Sequence, residues 1–298
     1  MAPAISSRAC LAEERFTNAM TKTETIADGV TLHLGDSREI DFPAGIECIV
    51  TSPPYNQMED VAKRKPSGLW ADRTGGLGFV ENWKKGAYSD ALDEAEYQNQ
   101  QNLLFAGLAS RCTPTASLFY NHQLRWRDGV CLHPVDWFKP ATWRFRTEVI
   151  WDRGGGMMFN ARMFCRFDER ILWFVQSDKW KWNQDAVGLG TVWRVAREQN
   201  KAHPVAFPED IPARCITATT HVEDLVCDPY MGGGTTGAAA VKIGRRFVGA
   251  ERDPKWFDLA CKRIEAATRQ KDMFVESPKI DPTEQIDMLP SDPSQIGR

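Results

Sequence analysis

The sequence lacks several features that define common protein classes. No apolar stretch approaches the roughly 18 residues that a transmembrane helix needs, and no charged-then-apolar leader opens the chain, so we expect neither membrane insertion nor secretion. The eight cysteines form no CxxC pair, and several lie in apolar runs. This pattern favours buried thiols in a reducing cytoplasm over disulfides or a zinc site. We therefore expect a cytoplasmic protein without a bound metal.

An overall excess of positive charge is also absent, which at first argues against a nucleic-acid partner. The net charge is −3, but residues 276–298 alone carry five acids and two bases. Residues 120–200 carry thirteen Lys or Arg against nine Asp or Glu, and they hold eight of the eleven tryptophans. Such a basic, Trp-rich segment is suited to phosphate contacts. A solvated surface over an aromatic core explains the same composition, so charge alone leaves both interpretations open.

Seven short apolar or β-branched runs predict the strands of one large sheet. Most of them are continuous rather than alternating, as expected for strands that are buried on both faces. They cover residues 31–34, 48–51, 117–120, 147–151, 171–175, 225–227 and 247–250. Three helices are predicted between or after them, over residues 94–108, 235–243 and 254–268. This alternation predicts a parallel, doubly wound α/β fold.

The chain is expected to form one domain between two loosely held ends. Residues 1–25 predict a flexible N-terminal arm, and residues 271–298, with four prolines, predict a tail without a core of its own. The domain, residues 26–270, contains two connections that are too long for simple crossovers, at 56–93 and 175–225. The first is rich in Gly and Lys, and we expect it to act as a lid.

A glycine-rich turn follows the run at 225–227 and opens a helix. Its sequence is Asp228-Pro229-Tyr230-Met231-Gly232-Gly233-Gly234-Thr235-Thr236. Glycines let a backbone pass close to a ligand, and amides at a helix start favour an electron-rich group. The next strand ends at Glu251, 23 residues after Asp228, where one carboxylate can accept hydrogen bonds from both ribose hydroxyls. The spacing predicts a nucleoside-cofactor site, with a structural turn and a solvated carboxylate as the alternatives.

A second short segment, Ser52-Pro53-Pro54-Tyr55, ends the run at 48–51. Consecutive prolines donate no amide hydrogens and fix the backbone. The Pro53 carbonyl and the Ser52 hydroxyl can therefore each accept one hydrogen of an exocyclic amino group, while Tyr55 offers a face on which a base stacks. A rigid exit turn is the alternative. In a doubly wound sheet the strands that carry the two segments are neighbours, so both segments lie at one switch point.

These two segments, in this order, resemble motifs IV and I of the beta group of DNA amino-methyltransferases, which use S-adenosyl-L-methionine. The similarity spans about residues 30–268. It implies a Rossmann-like methyltransferase domain that is circularly permuted, with motif IV before motif I. The implied sheet has seven strands, mostly parallel, and the run at 171–175 is the antiparallel one. Target recognition is implied between the motifs, in part within residues 121–200.

The resemblance also assigns roles to individual residues. The catalytic residues that it implies are Ser52, Pro53, Pro54 and Tyr55. The cofactor-binding residues that it implies are Asp36, Thr51, His203, Pro204, Asp228, Tyr230, Gly232, Gly234, Thr235, Thr236 and Glu251. We expect DNA contacts at Asn121, His122, Arg125, Arg127 and Arg153. For this last group a polar loop is the alternative interpretation.

The motifs together predict an S-adenosyl-L-methionine-dependent enzyme that methylates the exocyclic amino group of a flipped base in double-stranded DNA. Adenine-modifying members usually carry Asp or Asn at the position of Ser52, whereas Ser is commoner among cytosine-modifying members. Adenine methylation is the more frequent in bacteria, so N6-adenine is favoured narrowly and N4-cytosine is the alternative. A protein glutamine methyltransferase and a catalytically silent DNA-binding protein are further alternatives.

The resemblance also suggests the enzyme's setting. We expect a homodimer, encoded by a bacterium or phage and associated with the nucleoid. No restriction-nuclease signature is visible in the sequence, so the enzyme is expected to act in modification only, either as an orphan or beside a separate nuclease.

Overall fold

One mixed sheet forms the centre of the protein. The computed structural model describes residues 21–56, 92–155, 164, 166–186, 188–196 and 207–270. The strands are β1 (Lys22–Ala27), β2 (Val30–Leu34), β3 (Ile46–Thr51), β4 (Cys112–His122), β5 (Arg125–Arg127), β6 (Val130–Leu132), β7 (Arg144–Asp152), β8 (Asp168–Val175), β9 (Val192–Arg194), β10 (Leu225–Asp228) and β11 (Arg246–Glu251). The α-helices are α1 (Glu94–Ala109), α2 (Pro134–Trp137), α3 (Asp210–Thr219), α4 (Thr235–Lys242) and α5 (Pro254–Gln270), with a 3-10 turn at Gln184–Ala186.

The strand order places the two motif-bearing strands side by side. The sheet has nine strands in the order β1-β2-β11-β10-β3-β4-β8-β7-β9, and β5 and β6 form a separate hairpin. From β2 to β4 all neighbours are parallel, whereas β8 runs antiparallel to both β4 and β7. All seven predicted runs lie in strands of this sheet, and the run at 171–175 lies in the antiparallel strand β8, as predicted. The fold is therefore the Rossmann-like, permuted arrangement that the sequence predicts.

The continuous apolar runs have a direct explanation in the packing. Along β3, Cys48 and Val50 belong to one apolar cluster, and Ile46 and Ile49 belong to a second. The first cluster includes buried residues of α3, α4 and α5, and the second includes buried residues of α1. A strand that is covered on both faces gains from an apolar side chain at every position. Removing this apolar area from water is the main favourable contribution to folding.

The structure differs from the sequence prediction at both ends of the sheet. Strand β1 lies partly within the predicted arm, and it pairs antiparallel with β2. Helix α3 lies within the connection predicted at 175–225. The helix tolerates Pro212 because this residue falls in its first turn, where a missing amide hydrogen costs little. At the other edge β9 adds to β7. Residues 1–20, 57–91 and 271–298 lie outside the described residues, and with them most of the predicted arm, lid and tail.

Neither a membrane-spanning helix nor a metal-binding cluster is found in the described part of the chain. No helix there is long and apolar enough to cross a membrane. Within the same residues no group of three or more His, Cys, Asp or Glu side chains is placed to hold a metal ion. Six cysteines in this part are free thiols, and Cys48, Cys215 and Cys227 are buried.

Candidate active site

The two predicted motifs meet at the carboxyl ends of β3 and β10. These strands pair in parallel, with Cys227 opposite Ile49. Just beyond this pair, where both strands end, the Thr51 hydroxyl donates a hydrogen bond to Asp228 Oδ1 at 2.7 Å, across 177 residues of sequence. Both chain segments therefore leave the sheet at the same edge, at the switch point that the sequence predicts.

Asp228 links the strands and also holds the glycine turn. Its side chain is buried and accepts a hydrogen bond from the Tyr230 amide at 3.1 Å, in addition to the Thr51 hydroxyl. Burial raises the pKa of Asp228 to about 6, although hydrogen bonds from Thr236, Thr51 and the Tyr230 amide act in the opposite direction. The carboxylate is thus a structural acceptor at the joint between the two motifs.

The glycines of the turn also have a structural role that does not depend on a ligand. Gly232 and Gly234 have φ of 50° and 78°, the left-handed region that side chains disfavour. A Cβ on Gly234 would lie 2.9 Å from the Cα of Ala260, so this glycine lets α5 pack against the start of α4. Thr235 is tied to the same helix, because Arg263 Nη1 donates to its hydroxyl at 2.6 Å. Close helix packing accounts for Gly234 without any ligand.

Glu251 is held in place by the backbone around it. Its Oε2 accepts from the Gly232 amide at 2.9 Å, and its Oε1 accepts from the Asp253 amide at 2.7 Å. Burial raises the pKa of Glu251 to about 7, against the effect of these amides. Each carboxylate oxygen can accept a second hydrogen bond, so the group has the capacity to bind two further hydroxyls.

A second carboxylate lies beside Glu251, because β2 and β11 are neighbouring parallel strands. Glu251 is opposite Leu34 in this pairing, and the Gly35 amide donates to the Glu251 carbonyl at 2.9 Å. Asp36 is the next residue after Gly35, and its carboxylate accepts two hydrogen bonds from the Arg38 side chain, at 2.9 and 2.6 Å. Burial opposes ionisation of Asp36, but these bonds and the Arg38 charge hold its pKa below the usual value.

The Ser-Pro-Pro-Tyr turn is fixed by its own side chains and by α1. The Ser52 and Tyr55 hydroxyls are 2.8 Å apart, and the Tyr97 hydroxyl donates to the Pro54 carbonyl at 2.7 Å. The Tyr55 ring packs at a tilt against the His122 ring, with 4.7 Å between centroids. Burial, followed by the charge of Glu169, raises the pKa of Tyr55 well above its usual value. The hydroxyl of Tyr55 therefore keeps its proton.

The exit from this turn is also anchored. Asn56 has a φ of 53°, and its side chain pairs with the backbone of Leu92, at 2.8 Å to the amide and 3.0 Å to the carbonyl. Arg127 donates to the Asn56 carbonyl at 2.5 Å. The residues on either side of segment 57–91 are therefore joined directly after the Ser-Pro-Pro-Tyr turn.

The five residues expected at the DNA interface are largely internal in this structure. His122 is fully buried, and Arg125 is 2% exposed and forms a bidentate pair with Glu94, at 2.6 and 2.7 Å. Its guanidinium also lies 4.9 Å from the centre of the Tyr97 ring. Burial and the Arg125 charge lower the pKa of His122 to about 3, so the imidazole is neutral. In this conformation both residues support the fold, and a role in DNA contact stays a prediction.

The other three DNA candidates lie around the Ser-Pro-Pro-Tyr turn. Asn121 is 3% exposed and donates to the Tyr55 hydroxyl at 2.7 Å. Arg153 is 9% exposed and pairs with Glu169 at 2.9 Å. Arg127 is half-buried and contacts the carbonyl of Asn56. Two other predicted residues, His203 and Pro204, lie outside the described residues.

Sequence reasoning missed two side chains that organise this site, Glu169 and Tyr97. Glu169 stands at the start of the apolar strand β8, where a strand-end acid is normally solvated, yet it is 5% exposed. Tyr97 lies in the first turns of α1 and is 2% exposed. The antiparallel pairing of β8 with β4 brings Glu169 to the Ser-Pro-Pro-Tyr turn, and the local sequence around Glu169 does not predict that contact.

Comparison with known proteins identifies the family. A family model described as DNA methylase, of the N6/N4 methyltransferase type, matches residues 46–262, which is most of the chain and includes both motifs. The chain belongs to this family of DNA methylases. It is an S-adenosyl-L-methionine-dependent DNA amino-methyltransferase, as the sequence motifs predict.

Two curated relatives support the same conclusion at low identity. The Type II methyltransferase M.BglII of Bacillus subtilis is 23% identical over 279 residues, which cover 79% of this chain and 68% of that protein. M.Cfr9I of Citrobacter freundii is 24% identical over 271 residues, covering 80% and 88% of the two chains.

Two solved structures have the same fold as this methyltransferase. PvuII DNA methyltransferase, described as cytosine-N4-specific, aligns with a TM-score of 0.58 at 18% identity, over 83% of this chain and 93% of that one. The complex of M1.HpyAVI with S-adenosyl-L-methionine aligns with a TM-score of 0.52 at 22% identity, over 78% and 98% of the two chains.

The residues around the glycine turn fit this cofactor. A nucleoside requires an acceptor for its ribose hydroxyls, and Glu251 offers a carboxylate that backbone amides hold at the end of β11. The turn leads into the start of α4, and amides at a helix start favour the electron-rich end of a ligand. The glycine turn, which fits this cofactor, therefore lies directly beside the Ser-Pro-Pro-Tyr turn.

Proposed function

We propose that this methyltransferase transfers the methyl group to the exocyclic amino group of a base that is flipped out of duplex DNA at a specific site. The observation that carries the proposal is the joint at Thr51 and Asp228, where a 2.7 Å hydrogen bond connects the amino-group turn to the cofactor turn. S-adenosyl-L-methionine supplies an activated methyl group when it is bound. A base inside the helix cannot reach a turn at a sheet edge, so it must be extruded.

The residues of the chain contribute mainly by alignment. An exocyclic amine is a weak nucleophile, because its lone pair is delocalised into the ring. Acceptors that bind its hydrogens draw the nitrogen toward tetrahedral geometry, and Ser52 is placed for this role beside the rigid prolines. Tyr55 offers its ring to the extruded base. Holding two reactants in line can contribute effective molarities of about 10⁵ M or more, so no strong base is needed before transfer.

For the cofactor, we propose that Glu251 accepts the ribose hydroxyls and that Asp36, at the end of the adjacent strand, lies beside the adenine. Both carboxylates are at the same sheet edge as Asp228. Tyr230 and the threonines at 235 and 236 complete this side of the site. His203 and Pro204 stay predictions for the methionine part of the cofactor.

For the target base, we propose the 4-amino group of cytosine, with the 6-amino group of adenine as the second candidate. Ser52 is the residue type that is commoner among cytosine-modifying members, and PvuII DNA methyltransferase, described as cytosine-N4-specific, shares the fold. Adenine is supported by its greater frequency as a methylation target in bacteria.

A nucleoside assay distinguishes these candidates. Purified protein is incubated with labelled S-adenosyl-L-methionine and plasmid from a methylase-free host, and the digested nucleosides are separated by mass spectrometry. We expect N4-methyldeoxycytidine, whereas N6-methyldeoxyadenosine would establish the second candidate. Single-molecule sequencing of the same plasmid gives the recognition sequence. No methyl incorporation into DNA would contradict the proposed function.

The remaining expectations need separate measurements. Base flipping is expected to raise the fluorescence of 2-aminopurine at the target position on binding, since the base leaves the stack. The predicted homodimer is tested by sedimentation equilibrium of the full chain. The predicted cytoplasmic and nucleoid location is tested by imaging a tagged protein in bacterial cells.

A further inference from the structure

Glu169 lies at the centre of a buried hydrogen-bond network beside the catalytic turn. Its side chain is 5% exposed at the start of β8. Oε2 accepts from the Tyr55 hydroxyl and from Asn121 Nδ2, each at 2.9 Å. Oε1 accepts from Arg153 Nη1 at 2.9 Å and from Gln123 Nε2 at 3.4 Å. Both oxygens of this carboxylate are therefore engaged by donors from the protein.

The carboxylate sets the direction of the hydrogen bonds that lead to Ser52. An ionised carboxylate only accepts, so the single proton of the Tyr55 hydroxyl is directed to Glu169. The Tyr55 oxygen is then an acceptor for the Ser52 hydroxyl, which lies 2.8 Å away. Once Ser52 donates to Tyr55, the lone pairs of Ser52 Oγ face outward as acceptors. A chain of hydrogen bonds polarised in this way is stronger than its separate bonds.

The same carboxylate fixes the amide of Asn121. The amide nitrogen lies near three acceptors, at 2.9 Å from Glu169, 2.7 Å from Tyr55 and 3.3 Å from Ser52. A reversed amide would place Asn121 Oδ1 against the carboxylate, which is repulsive. In the observed orientation Oδ1 is buried and has no hydrogen-bond partner among the described residues. A buried acceptor without a donor is costly, and an amino group on a ligand would satisfy it.

We propose that Glu169 is a positioning residue that fixes the hydrogen-bond direction of the amino-group pocket, so that Ser52 Oγ and Asn121 Oδ1 both present lone pairs to the amino hydrogens of the base. The inference rests on the proposed function. It assigns to Asn121 direct contact with the target amino group in place of a contact with the DNA backbone. It also gives the Tyr55 hydroxyl a role that the stacking face alone does not require.

The first test replaces the carboxylate by its isosteric amide. Glu169→Gln can donate to Tyr55, which reverses the chain and turns Ser52 from an acceptor into a donor at the pocket. We expect the single-turnover rate constant for methyl transfer to fall about ten- to a hundredfold, with unchanged Kd for S-adenosyl-L-methionine and for cognate duplex. Asp168→Asn is the matched control. Asp168 is the adjacent carboxylate, pairs with Arg170 at 2.9 Å, and belongs to no part of this network.

A double-mutant cycle separates positioning from general stabilisation. Tyr55→Phe interrupts the chain between Glu169 and Ser52 and is expected to lower the same rate constant. If Glu169 acts through Tyr55, the Tyr55→Phe and Glu169→Gln double variant is no slower than the slower single variant. Losses that multiply in the double variant would overturn the inference, as would full activity in Glu169→Gln.

The remaining outcomes are also decisive. Melting curves and near-UV circular dichroism establish whether each variant is folded. If Glu169→Gln does not fold, the test rests on Tyr55→Phe, and a folded Tyr55→Phe with the wild-type rate overturns the inference. A wild-type enzyme that methylates DNA beside a fully active Glu169→Gln leaves the proposed function standing and removes this inference alone. A wild-type enzyme that transfers no methyl group to any DNA removes both.

Discussion

The buried carboxylate of Glu251 is expected to make cofactor binding depend on pH. Burial raises its pKa from 4.5 to about 7, although the amides of Asp253 and Gly232 donate to it. Two ribose hydroxyls bind more strongly to the charged form, in which both carboxylate oxygens accept, so the binding of S-adenosyl-L-methionine favours loss of the Glu251 proton. With a pKa near 7, the affinity near pH 6 is expected to be about tenfold weaker than the affinity near pH 8.

The variant Glu251→Gln isolates this contribution. Glutamine has nearly the same shape but cannot ionise, and it loses charge-assisted bonds that are each worth about 1.5–3 kcal/mol. We expect its Kd to be about ten- to a hundredfold weaker near pH 8, with the difference from wild type shrinking as pH falls. Calorimetric titration at several pH values measures both curves. Asp258→Asn, which removes an exposed carboxylate on α5, is the control and should follow the wild type.

The same pKa shift has the opposite consequence for the stability of the cofactor-free protein. Glutamate in the unfolded chain releases its proton near pH 4.5, whereas the folded protein retains it up to about pH 7. The folded state binds more protons in that window, so the free energy of unfolding falls as pH rises through it, by up to about 3 kcal/mol. Urea denaturation should show a steeper slope in wild type than in Glu251→Gln, which keeps the smaller contribution of Asp228, whose pKa is also raised, to about 6. Cofactor affinity that is independent of pH, or unchanged in the variant, would refute the assignment of Glu251 to the ribose.

Three further variants test the joint, the glycine turn and the buried arginine. Thr51→Val removes the donor to Asp228 and should cost about 1–3 kcal/mol of unfolding free energy, while Thr51→Ser should cost less; equal losses in urea denaturation would contradict this. Gly234→Ala should lower the melting temperature, because its Cβ would lie 2.9 Å from Ala260 Cα at a φ of 78°. Arg125→Met should destabilise the fold by about 3 kcal/mol, and a stable variant that binds DNA weakly in a filter assay would instead restore the DNA-contact prediction.

The sheet was predictable because its central strands are covered on both faces. Runs such as 225–227 and 247–250 are continuously apolar, and that pattern has few competing explanations at this length. The edges were less predictable. Strand β1, Lys22–Ala27, is half exposed and polar, and it exists as a strand because β2 offers it a partner. Helix α3 carries Pro212, which in sequence signals a break although a first turn tolerates it.

The site was predictable where its chemistry depends on adjacent residues, and not where it depends on tertiary contacts. The Pro-Pro turn and the acid at 251 could be found by local spacing. The burial of Arg125 could not, because a basic residue beside a tryptophan and near polar side chains has the same sequence pattern whether it faces phosphate or an internal carboxylate. Glu94, its partner, lies 31 residues away, and only the fold brings the two together. Charge composition alone therefore does not distinguish DNA-facing basic residues from internal ones in this segment.

The order of the two motifs along the chain is immaterial to the chemistry, because the sheet brings their strands together. A parallel sheet collects the carboxyl ends of its strands at one edge, and the neighbours of a strand do not depend on where the chain begins. The bond between Thr51 and Asp228 takes the place of a short covalent connection between the segments. This hydrogen bond couples two segments that are distant in sequence, because a shift of Asp228 moves the cofactor turn and the amino-group turn together. Substitutions in either segment should therefore change both cofactor affinity and methyl-transfer rate, whereas in a protein with independent sites they would change only one.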